Sequence, residues 1–131
     1  MIFVDTNYFL RFSVRDVEEQ YKIVEELFKK ASEGKQRLVS TTLVLFEISW
    51  VLLSQYNIDK AKLVSILNGI LEMSFVCFSE RQMLLDAIKL YGKSSLSLED
   101  CYYLEFCREK KITKIASFDN KLLKAFKDIE A

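Results

Sequence analysis

Apolar residues recur along this chain in two rhythms. Ile2, Phe3 and Val4 form a short β-branched and aromatic run ending at Asp5-Thr6-Asn7, the pattern of a buried strand followed by a turn. Between Asp16 and Ser32, the residues Val17, Tyr21, Val24, Leu27, Phe28 and Ala31 fall at helical spacing, which predicts an amphipathic helix stopped by Gly34. Residues 37–40 read as a second short strand. Thr41 or Thr42 then caps a strongly apolar helix reaching about Tyr56, and Asp59 caps another through Glu72. Residues 74–78 have strand character, and Ser79-Glu80-Arg81-Gln82 is a capping-box pattern for a helix ending near Gly92. Ser97-Leu98-Glu99-Asp100 opens a further helix to about Lys111. Ile112 to Ser117 returns to strand character, and Asp119-Asn120 starts a last short helix. Strands alternating with helices predict an α/β chain of βαβ crossovers, with a mainly parallel sheet covered on both faces. No repeat, low-complexity tract or linker interrupts it, so residues 1–131 are expected to form a single domain.

Composition narrows the chemistry. The 131 residues include no histidine, which excludes a Ser-His-Asp triad, a Cys-His pair and any His-containing zinc site. Catalysis must then run on carboxylates, hydroxyls, lysines or thiols. The 19 basic residues balance 19 acidic ones, so no overall basic field advertises a nucleic-acid partner. Cys77, Cys101 and Cys107 follow neither CxxC nor zinc spacing and read as buried free thiols in a reducing cytosol. Met1 leads straight into Ile-Phe-Val-Asp without a basic leader, so no signal peptide is expected. From Leu38 to Ile58 the one charged residue is Glu47, a window near membrane-spanning length. A central charge surrounded by hydroxyl and amide residues makes a buried helix of a cytoplasmic protein the expected reading, with no membrane partner.

Four acids stand in awkward places. A helix that is apolar nearly all round is expected to be buried nearly all round, which would take Glu47 at least partly out of water. The compensation open to it is a cation, backbone or hydroxyl donors, its own protonation, or a bound metal ion. Asp5 ends the first strand, and ligands bind beyond the carboxyl ends of strands in open parallel sheets. Asp119 follows the run Ile115-Ala116-Ser117 in the same manner, and Asp100 lies in the first turn of its helix. Each acid alone reads as a helix cap or turn residue. Together, in one doubly wound sheet, they are expected to converge at one edge, where uncompensated carboxylates repel by roughly 4 kcal/mol per pair at contact distance. A divalent cation resolves that conflict, and hard oxygen ligands favour Mg²⁺ or Mn²⁺ over zinc. Carboxylates holding such an ion suit hydrolysis of a phosphodiester by metal-activated water, work otherwise given to His or Lys.

The ordered set Val4-Asp5-Thr6-Asn7, Phe46-Glu47-Ile48-Ser49-Trp50-Val51-Leu52, Ser97-Leu98-Glu99-Asp100 and Ala116-Ser117-Phe118-Asp119-Asn120-Lys121-Leu122 resembles the PIN-domain ribonucleases, in particular the VapC-type toxins of toxin-antitoxin pairs. The resemblance spans essentially the whole chain. It implies a three-layer α/β/α sandwich with a central, mainly parallel sheet of four or five strands, and commonly a homodimer. It also implies that Asp5, Glu47, Asp100 and Asp119 bind one or two Mg²⁺ or Mn²⁺ ions for endonucleolytic RNA cleavage. Thr6 and Ser117, with help from Asn7, would orient ligands or water, and a small antitoxin would silence the enzyme in trans. The chain has Ser97 where many relatives carry another Asp, and Ser117 where many have Thr.

Contacts to RNA phosphates need cations. The candidates are Arg108, Lys110, Lys111, Lys114, Lys121 and Lys124, beside the third and fourth acids, with Arg11 and Arg15 after the first. Tyr102, Tyr103 and Phe106 are expected to be core or dimer contacts. A haloacid-dehalogenase-type phosphatase needs a second Asp where this chain has Asn7, and a receiver domain needs a Lys after its last strand that Lys114-Ile115-Ala116-Ser117 does not supply. The alternative from another class is a catalytically weak PIN-fold module that binds RNA or protein without cutting.

Overall fold

A computed structural model of the chain describes residues 1–130. Its backbone separates into two compact units, one running from Met1 to Arg81 and the other beginning at Gln82.

The first unit is built on three short parallel strands, β1 (Ile2–Phe3), β2 (Leu38–Ser40) and β3 (Val76–Phe78), which lie side by side in chain order. Register places Ile2 beside Leu38 and Leu38 beside Val76, with Phe3, Val39 and Cys77 aligned one residue later. Because successive strand residues face opposite ways, Leu38, Ser40, Val76 and Phe78 are buried on one face. On the other, Phe3 and Cys77 are exposed and Val39 is half-buried. The expected burial of Cys77 is therefore corrected, since it lies on this outward face. Cys101 and Cys107 are buried free thiols, and burial raises the Cys107 thiol above its ordinary range.

The crossovers are helical. Helix α1 (Thr6–Val14) begins directly after Asp5, where the sequence pattern gives a turn or a helix cap. Helix α2 (Glu18–Ser32) ends at Gly34, whose φ of 77° no residue with a Cβ adopts readily. The Lys35 amide reaches back to the Lys30 carbonyl at 2.9 Å, closing the helix. Helices α3 (Thr42–Ser54) and α4 (Lys60–Leu71) connect β2 to β3. Thr41, not Thr42, caps α3 through the Val44 amide, while the Thr42 hydroxyl donates to Glu80 at 2.5 Å. An aromatic cluster fills the core of this unit: Phe9 lies 5.9 Å from Phe28 and 6.1 Å from Phe78, and Phe28 is 5.0 Å from Phe12. Leu45, Ile48 and Leu52 from α3 and Leu63, Leu67 and Ile70 from α4 are fully or almost fully buried. The Arg81 guanidinium donates to the carbonyls of Leu71, Met73 and Val76, tying the end of α4 to the start of β3.

The second unit is helical, with α5 (Arg81–Gly92, its first residue being the last of the first unit), α6 (Leu98–Glu109) and α7 (Asn120–Glu130). Its interior is made by Leu84, Ala87 and Ile88 of α5, Cys101 and Leu104 of α6, and Leu122 and Phe126 of α7. Lys111, with a φ of 56°, takes the chain out of α6. The strand expected over Ile112 to Ser117 is absent, so the sheet has three strands rather than four or five. Ile112 and Ile115 are three residues apart and would point to opposite faces of a strand, so this run offers no single apolar face to a sheet. Among the described residues, no helix is long and apolar enough to cross a membrane.

Candidate active site

In the first unit the carboxyl end of β1 is held by two bonds beyond the strand itself. The Val4 amide donates to the Val39 carbonyl at 2.9 Å, and the buried Ser40 hydroxyl donates to the Val4 carbonyl at 2.8 Å. Asp5 emerges from that fixed point and caps α1: its Oδ1 accepts from the amides of Asn7 and Tyr8, at 3.1 and 3.4 Å. Its Oδ2 has no partner among the described residues. Thr6, the first residue of α1, is 6% exposed, and its hydroxyl donates to Glu47 Oε2 at 3.0 Å. That bond joins the turn after β1 to the middle of α3, forty-one residues away in sequence. It brings Asp5, Thr6 and Glu47 into one neighbourhood.

Glu47 itself is exposed, which corrects the expectation of a desolvated carboxylate. Helix α3 is apolar on its solvent side as well: Leu43, Trp50 and Leu53 are 75%, 62% and 40% exposed. All-round apolarity therefore does not mark all-round burial here. Of the compensations open to Glu47, the structure supplies a hydroxyl donor, from Thr6.

In the second unit Ser97 caps α6 by accepting from the Asp100 amide at 3.1 Å, so the serine found where many relatives carry Asp serves as a helix cap. Asp100 is half-buried in the first turn of α6. Asp119 precedes α7, and its Oδ1 accepts from the Lys121 and Leu122 amides at 3.0 and 3.2 Å. The Ser117 hydroxyl accepts from the Asp119 amide at 3.0 Å, which fixes the turn carrying this acid. Asp5 and Asp119 thus share one arrangement, with Oδ1 spent on the helix start and Oδ2 left open.

The expected cations divide into held and open ones. Arg15 is bound to Glu18 through two hydrogen bonds of 3.0 and 2.8 Å and lies over the Tyr21 ring, 4.0 Å from its centre. That pairing raises the Arg15 guanidinium and lowers the Glu18 carboxyl relative to their ordinary values. Arg108 is 3.5 Å from the buried Glu105, Lys110 lies over the Phe106 ring, and the Lys121 ammonium donates to the Ser95 carbonyl at 2.7 Å. Lys111 is exposed at the left-handed exit from α6, while Lys114 and Lys124 are exposed without a partner among the described residues. Arg11 is half-buried and fixed on three sides by Gln20 at 2.6 Å, Tyr56 at 3.3 Å and Asp16 at 3.6 Å. Gln20 and Tyr8, which line a hollow with Asp5 and Arg11, were not singled out by sequence pattern. Tyr8 carries the one usable signal, since it stands three residues after Asp5 on the same helix face. Tyr102 and Phe106 are half-buried ring neighbours, but Tyr103 is exposed and so is no core residue.

Hard carboxylate oxygens are the right donor chemistry for Mg²⁺ or Mn²⁺. However, no three Asp, Glu or Cys side chains among the described residues are gathered closely enough to hold a metal ion.

Comparison with known proteins places these features in a family. The PIN domain family model matches residues 2–128, a stretch containing all four acids and both compact units. A VapC ribonuclease of Aquifex aeolicus (strain VF5) is 24% identical over 124 residues, covering 95% of this chain and 91% of that protein. No solved structure gives a significant match. With an α/β chain built on a parallel sheet and a family match over nearly its whole length, the protein belongs to the PIN domain family.

Proposed function

We propose that this protein is a divalent-metal-dependent endoribonuclease, a cytoplasmic VapC-type toxin that works as a single-domain homodimer and is silenced in trans by a small antitoxin. The observation that carries the reading is the Thr6–Glu47 hydrogen bond at 3.0 Å. It joins two of the motifs that resemble those of PIN ribonucleases inside a chain of that family. The relative in Aquifex is itself named as a ribonuclease.

In this proposal Asp5, Glu47, Asp100 and Asp119 supply the oxygen ligands for one or two Mg²⁺ or Mn²⁺ ions. When bound, such an ion acidifies water and offsets phosphate charge. The chain's own residues hold the acids ready. Thr6 fixes the Glu47 carboxylate through one oxygen, Ser117 fixes the turn that carries Asp119, and the capping bonds of Asp5 and Asp119 set which carboxylate oxygen stays open. Exposed Lys114 and Lys124 add positive charge for the RNA backbone.

Cleavage of a panel of structured RNAs in Mn²⁺, with and without EDTA, tests this with the wild type and Asp5→Asn. The expected result is cleavage that EDTA abolishes and the variant lacks. Cleavage that survives EDTA, or an unimpaired variant, refutes the mechanism. The second reading is a PIN module that binds RNA or protein without cutting. RNA binding with no cleavage in Mn²⁺ establishes it instead.

A further inference from the structure

Helix α1 is bonded to the α3 segment at two places. One is the Thr6–Glu47 bond, next to Asp5. The other lies about one and a half turns further along α1, where Arg11 Nη1 donates to the Tyr56 hydroxyl at 3.3 Å, just beyond the end of α3. That hydroxyl donates in turn to Asp16 Oδ2 at 2.9 Å, and Asp16 Oδ1 is 3.6 Å from Arg11 Nη1, so the three groups close a ring. Gln20 of α2 accepts from Arg11 Nε at 2.6 Å. We propose that Tyr56 and Arg11 are positioning residues for the part of the candidate site in the first unit: their bond fixes how α1 lies along α3 and thereby keeps the Thr6 hydroxyl on Glu47, beside Asp5. For the purpose of that arrangement the proposal rests on the ribonuclease reading above, and it assigns Arg11 to the protein's interior bonding rather than to RNA phosphates.

Three observations carry it. Glu47 is exposed, so water competes with Thr6 for its oxygen, and a bond under that competition persists where donor and acceptor are already held in place. Burial of Phe9 and Leu10 holds α1 to the core, but that attraction is non-directional, whereas a hydrogen bond weakens steeply once its angle is lost. One directional bond between two helices leaves a pivot; a second, away from the first, removes it. The far bond is also anchored at both ends. The Tyr56 amide donates to the Val51 carbonyl at 3.4 Å and the Ile58 amide to that of Leu52 at 3.1 Å, across Asn57 with its φ of 51°, which closes α3. The Arg11 carbonyl accepts from the Arg15 amide at 3.2 Å, which closes α1, while Asp16 and Gln20 hold the guanidinium. Finally, the Arg11 side chain is 24% exposed and Tyr56 is half-buried, so this tie is better shielded from water than the carboxylate it supports.

The test is a double-mutant cycle of Thr6→Val and Glu47→Ala, read by urea unfolding of the full chain, run in the wild type and again in Tyr56→Phe. That substitution removes the hydroxyl and leaves Arg11 and Asp16 paired. The Thr6–Glu47 coupling is expected to fall by about half or more in Tyr56→Phe and in Arg11→Met. It should survive in Asp16→Asn, whose side-chain oxygen still accepts from Tyr56. A role in stability alone would lower each midpoint and leave the coupling as it was, and that result overturns the proposal whether or not the chain cuts RNA. In RNA cleavage with Mn²⁺, Tyr56→Phe is expected to lower kcat several-fold at unchanged KM. Arg11→Met should leave the salt dependence of single-stranded RNA binding in EDTA as in the wild type. A wild-type kcat in Tyr56→Phe, or a log–log salt slope reduced by about 0.7 in Arg11→Met, the mark of a lost phosphate contact, also overturns it. Lost coupling in a chain that cuts no RNA keeps the positioning role and removes the ribonuclease reading.

Discussion

Replacing Thr6 by valine removes one hydroxyl and, with it, the bond to Glu47 Oε2. A hydrogen bond to a charged acceptor contributes about 1.5–3 kcal/mol. Thr6 is buried but Glu47 is exposed, so water can replace the lost donor on the acid's side, and the effect belongs at the lower end, about 1.5 kcal/mol. For a chain of this length that lowers Tm by roughly 5 °C. Thermal unfolding followed by circular dichroism measures it, and a double-mutant cycle assigns it. In a Glu47→Ala background the hydroxyl has lost its acceptor, so Thr6→Val should then change stability little, leaving a coupling of about 1.5 kcal/mol. Equal destabilisation in both backgrounds would mean that the hydroxyl matters for some reason other than Glu47, and the argument that Thr6 positions this acid would fall. In the cleavage assay the same variant is expected to lose about tenfold to a hundredfold in activity, the usual effect of removing a bond that orients a ligand.

Three other outcomes follow from the packing and electrostatics. Phe9→Ala empties the space between Phe28 and Phe78 and should destabilise by about 3–5 kcal/mol, seen in urea as a lower midpoint at unchanged slope. Arg81→Met withdraws the donors to the carbonyls of Leu71, Met73 and Val76 and should cost about 2–3 kcal/mol, with Arg81→Lys recovering part of it. Glu105 is 7% exposed, and burial raises its carboxyl above the ordinary range, opposed by Arg108. The folded state therefore holds this proton more tightly than the unfolded state. The resulting stability is present below the ordinary Glu range and is lost as pH rises through the raised value. Urea unfolding from about pH 4 to about pH 8 should show that loss in the wild type and a shallower dependence in Glu105→Gln; identical slopes would refute the assignment.

Helix positions were legible where two independent signals coincided. The spacing from Val17 to Ala31 and the stop at Gly34 mark α2, and side-chain oxygens at Asp5, Thr41, Asp59, Ser97 and Asp119 all bond helix-start amides. Capping is local chemistry, so sequence carries it. Side-chain exposure is not local. Glu47 sits in a run of apolar residues whether or not anything packs on its side of α3, and the chain alone does not state that Leu43 and Trp50 face water. Residues 112–117 failed for a related reason: β-branched composition suggested a strand, but spacing of the isoleucines supplied no face to pair and bury. Of the site, the acids and their hydroxyl partners were visible as motif residues. The Arg11–Gln20–Tyr56 network was not, because it joins three helices or turns at separations with no periodic signature.

The order of the sheet also bears on how the chain is made. The strands lie β1, β2, β3, the order in which a ribosome releases them, and each new strand pairs only with the one made just before it. Parallel pairing is slow because long loops must close first. Here no pairing waits on residues still to be synthesised. β1 and β2 can join once residues through Ser40 have emerged, and β3 adds to an existing edge. The acid at the end of β1 and the serine that anchors that end therefore both lie ahead of α3, on strands that pair directly with each other.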